Sequence, residues 1–393
     1  MARDQRVAIL KEIEEKNKSH VIAYITGDRQ PFGARIAEDA VRILYNHLLQ
    51  LDSSSKRSPI HLFLYSRGGD VSVPWRIISM IREFCDEFVV LIPYKAHSAA
   101  TMISLGADRI AMGKKAELSP IDPTLLRAIA GEATVPPPEI SVEDVSSYVS
   151  FVRERANISD QAALAQVVSL LANHLTPLTL GSVNRQYSHI RLVARKLLAS
   201  RKQKIEEEKI ATIIEALTEK MYSHGHAIAR KEATELGLPV DLPDDKLEQL
   251  MWELFGEYEE MLKLNSPYDP EEMLTSQNKE EQLETNVPMA AIESVGRFDV
   301  FEINALFKRR RQIPPNPQFN INLNLGLPPG LDPSQLPANF QQIIQQLMGQ
   351  LSQAIPQIVQ QELARQSPIV GIEGRMYGGK WKEKTAENSA RAV

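Results

Sequence analysis

The chain has 393 residues, 43% of them hydrophobic and 24% charged, with a formal charge of -5 at pH 7. That length and content suffice for one sizeable core with appendages, and the acidic balance offers no general field to draw nucleic acid or acidic lipid. A single cysteine, Cys85, excludes intramolecular disulfides and any cysteine-built zinc cluster.

The opening segment, MARDQRVAILKEIEEKNKSH (1–20), is charged and amphipathic, with no apolar leader core. No run of about 18 apolar residues follows, so a cytoplasmic protein without a membrane span is expected. Next, HVIAYITG (20–27) reads as a strand, and FGARIAEDAVRILYNHLLQL (32–51) as a helix with Ile36, Ala40, Ile43 and Leu44 at helical spacing. PIHLFLYS (59–66) is a second strand, followed by the loop RGGD and the helix VSVPWRIISMIREF (71–84). EFVVLIPYKA (87–96) is a third strand, SAATMISLGA (98–107) a short helix and DRIAMG (108–113) a fourth strand. Strand-loop-helix units with glycine or polar residues at the strand ends predict an α/β fold that places its ligand there.

Beyond residue 124 the pattern changes. IAGEATVPPPEISVEDVSS (129–147) reads as an exposed Pro-rich crossing, and helical patterns fill roughly 141–222, with Ile190, Val193, Ala194 and Leu197 on one face. A short helix in HGHAIARKEATELGLPVD (224–241) stops at Gly237, and 244–264 forms one more amphipathic helix. Late strands are expected in 289–311. From 312 the composition turns to Pro, Asn and Gln, with an apolar stripe of Phe340, Ile343, Ile344, Leu347 and Leu351 marking a helix that Pro356 should kink or end. The expected organisation is therefore an N-terminal helical segment (1–19), a main domain (20–305) and a linker with an amphipathic helix and flexible tail (306–393).

Two short stretches carry chemistry. In SRGGD (66–70), Gly68 and Gly69 let the backbone approach a ligand closely, so that a free amide can donate to an oxyanion. In AHSAAT (96–101), small residues after Ser98 allow that serine to begin a buried helix, where amides favour negative charge. Each has a bland reading, a tight turn for the first and a helix N-cap for the second. Together they are the parts that acyl transfer requires.

At these residues the sequence resembles the Clp-fold serine peptidases, in which a strand, a polar residue with Gly-Gly, a helix, a second strand and a serine followed by small residues recur. LYSRGGDV and KAHSAATMISLGADRIAMGKKAELSPIDP stand in those places, and SHGHAIARKEATELGLPVD is similar to a segment of the signal peptide peptidase A family. LSPIDP, HLTPLTLGSVNRQ and ELGLPV point within that group to the serine dehydrogenase proteinase family, over roughly residues 20–305. The resemblance implies a Clp protease/crotonase-like α/β fold, a Ser98 nucleophile, oxyanion or substrate contacts from Gly68, Gly69 and Ala99, a polypeptide substrate and a homo-oligomer. It implies no cofactor.

The activating base departs from the relatives' patterns. No lysine stands between 116 and 195, and the position matching the Clp protease histidine holds Asp122. His174 in NHLTPLTLG is then the expected base, with Asp122 as orienter or substrate contact. His97 adjoins Ser98, but neighbouring residues at a strand end point apart, so it reads as a packing residue or one that supports a site residue from behind. Lys114, Lys115 and Lys196 read as surface residues, and His224 with His226 as a turn without enough ligands for a metal. The run KRRR (308–311) reads as a solvated boundary. Two other functions compete with peptide hydrolysis: an inactive Clp-fold scaffold, and a crotonase-type coenzyme A thioester enzyme. The C-terminal helix could recruit a partner protein.

Overall fold

In the computed structural model, residues 2–51, 58–121, 124–126, 139–174, 177–221, 223, 225–312 and 337–384 are described. Helix α1 (Ala2–Asn17) leads into β1 (His20–Thr26), α2 (Asp39–Leu48), β2 (Ile60–Tyr65), α3 (Val73–Arg82), β3 (Phe88–Ile92), β4 (Lys95–Ala96), α4 (Ala99–Leu105), β5 (Arg109–Met112) and β6 (Glu117–Leu118). A small ribbon, β7 (Thr124–Leu126) with β8 (Glu139–Ser141), precedes α5 (Val142–Ser150), α6 (Gln161–His174), α7 (Pro177–Ala199) and α8 (Glu207–Glu215). The chain continues through β9 (Ile228–Ala229), α9 (Arg230–Glu235), β10 (Val240–Asp241), α10 (Asp245–Met261), α11 (Pro270–Ser276), β11 (Glu281–Glu293), β12 (Phe298–Arg311), α12 (Ala338–Gln366) and β13 (Ile369–Glu383).

The main sheet runs in the order β10-β5-β3-β2-β1-β11-β12-β13. From β10 to β1 the pairing is parallel, and β11 joins β1 antiparallel, with Thr26 opposite Ala290. Side chains alternate across a strand, so Ile22, Leu62 and Val90 face a core shared with α2, α3, α4 and α7, while Ala23, Phe63 and Leu91 face a second core with α1 and α10. Burial on both faces explains why these strands read as unbroken apolar runs. On α7, Ile190, Val193, Ala194 and Leu197 are buried as their spacing predicts. Truncating Leu197 to alanine would cost about 2–5 kcal/mol by the usual scale for core leucines.

Two compact units are present, one of Met1–Tyr268, Asn286–Ile303 and Gly378–Val393, the other of Asp269–Thr285 and Asn304–Tyr377. In the second unit the basic run at 308–311 is more than a solvated boundary: Lys308 pairs with Glu281 at 2.8 Å and Arg311 with Glu280 at 2.8 Å.

Three expectations need correction. The helix predicted from residue 32 begins only at Asp39, because Ile36 is taken up in a β-bridge with Gly69. Of the kink or end expected at Pro356, the end does not occur, since α12 runs on to Gln366; a proline removes one backbone hydrogen bond, and the bonds on either side hold the helix. The tail expected to be flexible contains the strand β13. The Pro-rich stretch 127–138 and the linker 313–336 lie outside the described residues.

Candidate active site

The first unit brings the two glycine and serine loops together at the C-terminal ends of β1, β2 and β4. Ser66, just past β2, bridges Ala96 of β4: its N–H donates to the Lys95 carbonyl at 2.9 Å, and the His97 N–H donates to the Ser66 carbonyl at 2.9 Å. On the other side the Ile36 N–H donates to the Gly68 carbonyl and the Asp70 N–H to the Ile36 carbonyl, each at 2.9 Å. The Gly-Gly loop is thus clamped between two backbone segments.

The clamp is tight enough to demand glycine. Gly68 has φ +105, and a Cβ there would fall 2.7 Å from the Ser98 Cβ and 2.9 Å from the His97 carbonyl oxygen. At Gly69 a Cβ would meet the Ile36 oxygen at 2.1 Å. The Gly68 N–H donates to the Ser66 hydroxyl at 3.0 Å, and that hydroxyl accepts from Thr26 at 2.7 Å. By contrast, the N–H groups of Gly69 and Ala99 have no hydrogen-bond acceptor among the described residues.

Ser98 sits at the junction between β4 and α4 with φ 50 and ψ -113, a conformation that a side chain with a Cβ disfavours. Its N–H donates to the Ser119 hydroxyl at 2.8 Å, and the Ser119 N–H donates in turn to the Thr101 hydroxyl at 3.1 Å. The Thr101 hydroxyl reaches back to the Ala96 carbonyl at 2.7 Å. Every residue of α4 is buried, which accounts for the run of small side chains after Ser98. The Ser98 hydroxyl itself has no hydrogen-bond partner among the described residues.

Charges gather beside the Gly-Gly loop. Arg67 binds Asp28 at 2.5 Å, Tyr65 donates to the same carboxylate at 3.0 Å, and Lys95 lies 3.7 Å from it. Burial works to raise the Asp28 pKa, but the Arg67 hydrogen bond and the Lys95 charge hold it below its ordinary value. His97 places Nε2 3.1 Å from Glu117 of β6. Burial is the largest influence on this imidazole and, with Arg67 and Lys95, holds its pKa below the ordinary value against the pull of Glu117.

Of the site residues expected from sequence, Ser98, Gly68, Gly69 and Ala99 lie together. Asp122 lies outside the described residues, as does the side chain of His174, whose backbone closes α6. Lys114 is exposed, Lys115 lies over Tyr94, and Lys196 over Trp75. His226 pairs with Glu232 at 2.9 Å, and His224 lies outside the described residues. Among the described residues no group of three His, Cys, Asp or Glu side chains could hold a metal ion. No single described helix is long and apolar enough to cross a membrane. Sequence reasoning missed Ile36, Ser66, Glu117 and Ser119. The polar ends of β2 and of the Glu117–Leu118 strand were the signal for the last three.

Known proteins resemble this chain in sequence. Residues 1–176 match the sequence model of a family described as ClpP-like SDH-type serine proteinase. An uncharacterized protein of Methanocaldococcus jannaschii is 29% identical over 244 residues, covering 60% of this chain and 73% of its own. A second uncharacterized protein of that organism is 24% identical, over 60% and 72% of the two chains. Among solved structures, ClpP1 from Listeria monocytogenes aligns over 61% of this chain and 99% of its own, at 15% identity and a TM-score of 0.32. The parallel strands with helices packed on both faces bear out the expected α/β fold, and residues 1–176 are similar in sequence to the ClpP-like SDH-type serine proteinases.

Proposed function

We propose that this protein is a serine endopeptidase in which Ser98 attacks the peptide carbonyl and the amides of Gly69 and Ala99 receive the oxyanion. The observation that carries the reading is the backbone of Ser98. A non-glycine residue at φ 50 and ψ -113 is costly, on the order of 1–3 kcal/mol, and such strain persists where the surroundings enforce it. Here a glycine pressed against its Cβ and a hydroxyl ladder from Ser119 to Thr101 enforce it. A Cβ built at Gly68 would fall 2.7 Å from the Ser98 Cβ and 3.2 Å from the Ala99 nitrogen, so the serine adjoins this loop, and the amides of Gly69 and Ala99 have no acceptor among the described residues. Gly68 serves by its conformation, since its own N–H is held by Ser66. His174 as base, with Asp122 orienting it, remains the proposal of the sequence alone.

The substrate is a polypeptide in extended form, held by backbone pairing along the Gly-Gly loop. The working state is a homo-oligomer, as the family resemblance implies, and the exposed Phe340, Ile343 and Leu347 of α12 are the surface offered to a partner protein. A fluorophosphonate probe should label the wild-type chain, and Ser98→Ala should abolish both labelling and peptide hydrolysis. Hydrolysis at the wild-type rate in Ser98→Ala would sink the reading. That the Ser98 hydroxyl has no hydrogen-bond partner among the described residues favours a second reading, a non-catalytic scaffold, which predicts a folded, oligomeric and probe-negative wild type.

A further inference from the structure

The Ser98 hydroxyl needs a proton acceptor, and the described histidines differ in what their ring nitrogens have left to give. His47 has both nitrogens engaged, Nδ1 with Ser294 at 2.7 Å and Nε2 with Asp299 at 3.1 Å. His61 has both nitrogens buried and without partners among the described residues. His226 is bound to Glu232. His97 alone combines a place in the chain beside Ser98, a carboxylate on one nitrogen and an open second nitrogen.

We propose that His97, held by Glu117, is the base that takes the Ser98 proton, in place of His174. The inference rests on the reading of Ser98 as nucleophile. A carboxylate only accepts, so the Glu117 contact at 3.1 Å places the ring proton on Nε2 and leaves Nδ1 as the acceptor. Nδ1 has no hydrogen-bond partner among the described residues and is not among the sealed polar atoms. The side chain keeps 19% of its exposure, which leaves it within reach of a substrate. A regular strand would turn neighbouring side chains to opposite faces, but Ser98 at φ 50 is not in a strand, and the rule does not apply across this turn. The charges that face His97 are Glu117 from β6, Arg67 from the loop after β2 and Lys95 from β4. Burial and the two cations keep the imidazole neutral at neutral pH, the state a resting base must have. A hydrogen bond absent before substrate arrives is ordinary for such a pair, because catalytic contacts tighten in the complex.

The step balances as acyl transfer does. The Ser98 Oγ–H proton moves to Nδ1 while Oγ bonds to the acyl carbon, and the carbonyl π pair becomes the oxyanion at the Gly69 and Ala99 amides. Collapse breaks the carbon–nitrogen bond, and His97 returns the proton to the leaving amine. Water then repeats the sequence at the acyl-enzyme, giving its proton to His97, and the serine leaves as the alcohol.

The test is the fluorophosphonate labelling rate of the full chain across about pH 5 to 9, with folding of each variant checked by its thermal midpoint. Wild type should show a rise centred below the ordinary imidazole value of about 6.5. His97→Gln should lose about 100-fold in rate and the rise with it. Glu117→Gln should lose about 10-fold and move the rise to lower pH, since the carboxylate pulls the His97 pKa up. Added imidazole should restore part of the rate to His97→Ala, which a merely structural role would not allow. If His97→Gln labels at the wild-type rate with an unchanged profile while Ser98→Ala stays unlabelled, the nucleophile stands and the His97 assignment falls. A 100-fold loss confined to His174→Gln would hand the role to that residue. A wild type that cannot be labelled would overturn the nucleophile and its base together.

Discussion

Two regions of the first unit assemble a serine, a histidine and a carboxylate, and the one with the better hydrogen bonds is not the candidate site. At the turn between β11 and β12, Ser294 lies 2.7 Å from Nδ1 of His47, and Nε2 lies 3.1 Å from Asp299. Arg297 grips the same carboxylate at 2.6 and 3.0 Å. Burial works against the Asp299 charge, and the His47 and Arg297 hydrogen bonds override it, holding its pKa low. Yet His47 is 0%, Asp299 1% and Ser294 6% exposed, and the Ser294 N–H is spent on the Arg297 carbonyl. Ser98 has the reverse: no hydrogen bond to its hydroxyl, but a strained backbone, partial exposure and two neighbouring amides without an acceptor among the described residues. A hydrogen-bonded relay is a way to bury polar groups as much as a way to activate a serine, and oxyanion donors separate the two uses.

The sealed region should therefore respond in stability and the open one in rate. The largest effect is expected at Glu293, fully buried beside that turn, where Arg6 donates at 2.6 Å and Tyr258 at 2.9 Å. Arg6→Ala leaves the buried carboxylate with only the longer 3.6 Å contact to Arg3 and should cost about 3 kcal/mol in denaturant unfolding. Labelling at Ser98 in the folded fraction should stay at the wild-type rate. A labelling loss as large as the stability loss would mean the two regions are one machine.

How much of this was legible follows the same division. Strands buried on both faces announce themselves as apolar runs, so β1, β2, β3 and β5 were readable, and so were SRGGD and AHSAAT because glycine and small residues have few other uses there. Backbone partners leave no such trace. Ile36 carries a helix-spaced side chain, and nothing in that spacing shows its N–H and carbonyl clamping Gly68 and Asp70. Glu117 belongs to a strand of two residues, too short for a period to show, and nothing in the spacing of the two residues shows its contact with His97. The strand β13 carries Gly371, Gly374, Gly378 and Gly379, and glycine weakens the strand signal it sits in.

His61 sharpens the contrast between a sealed imidazole and the open one at His97. It is 3% exposed on β2 with neither nitrogen partnered among the described residues, and burial, helped by the Arg109 charge, lowers its pKa to about 4. The unfolded chain takes up this proton near 6.5, so between about 6.5 and 4 the unfolded state binds more protons and stability falls as pH drops. The loss amounts to about 3 kcal/mol when complete. His61→Leu should flatten unfolding free energy across that window and raise it at neutral pH, where an unsatisfied buried ring is removed. If the variant keeps the wild-type slope, the proton uptake belongs to another group.

The smallest effect bears most directly on the comparison. Ser294→Ala deletes one buried hydroxyl and leaves Nδ1 of His47 without its donor, at a cost of about 1–2 kcal/mol. Asp299 and Arg297 still hold the ring from the other side, so the turn should keep its shape. Fluorophosphonate labelling should be unchanged, because a serine 6% exposed, with its own N–H already bound, has neither a path for the probe nor a donor for its oxyanion. Should Ser294→Ala remove the label and Ser98→Ala keep it, hydrogen-bond geometry would outrank backbone strain and free amides as the mark of a nucleophile in this fold, and the assignment of the two regions would have to be exchanged.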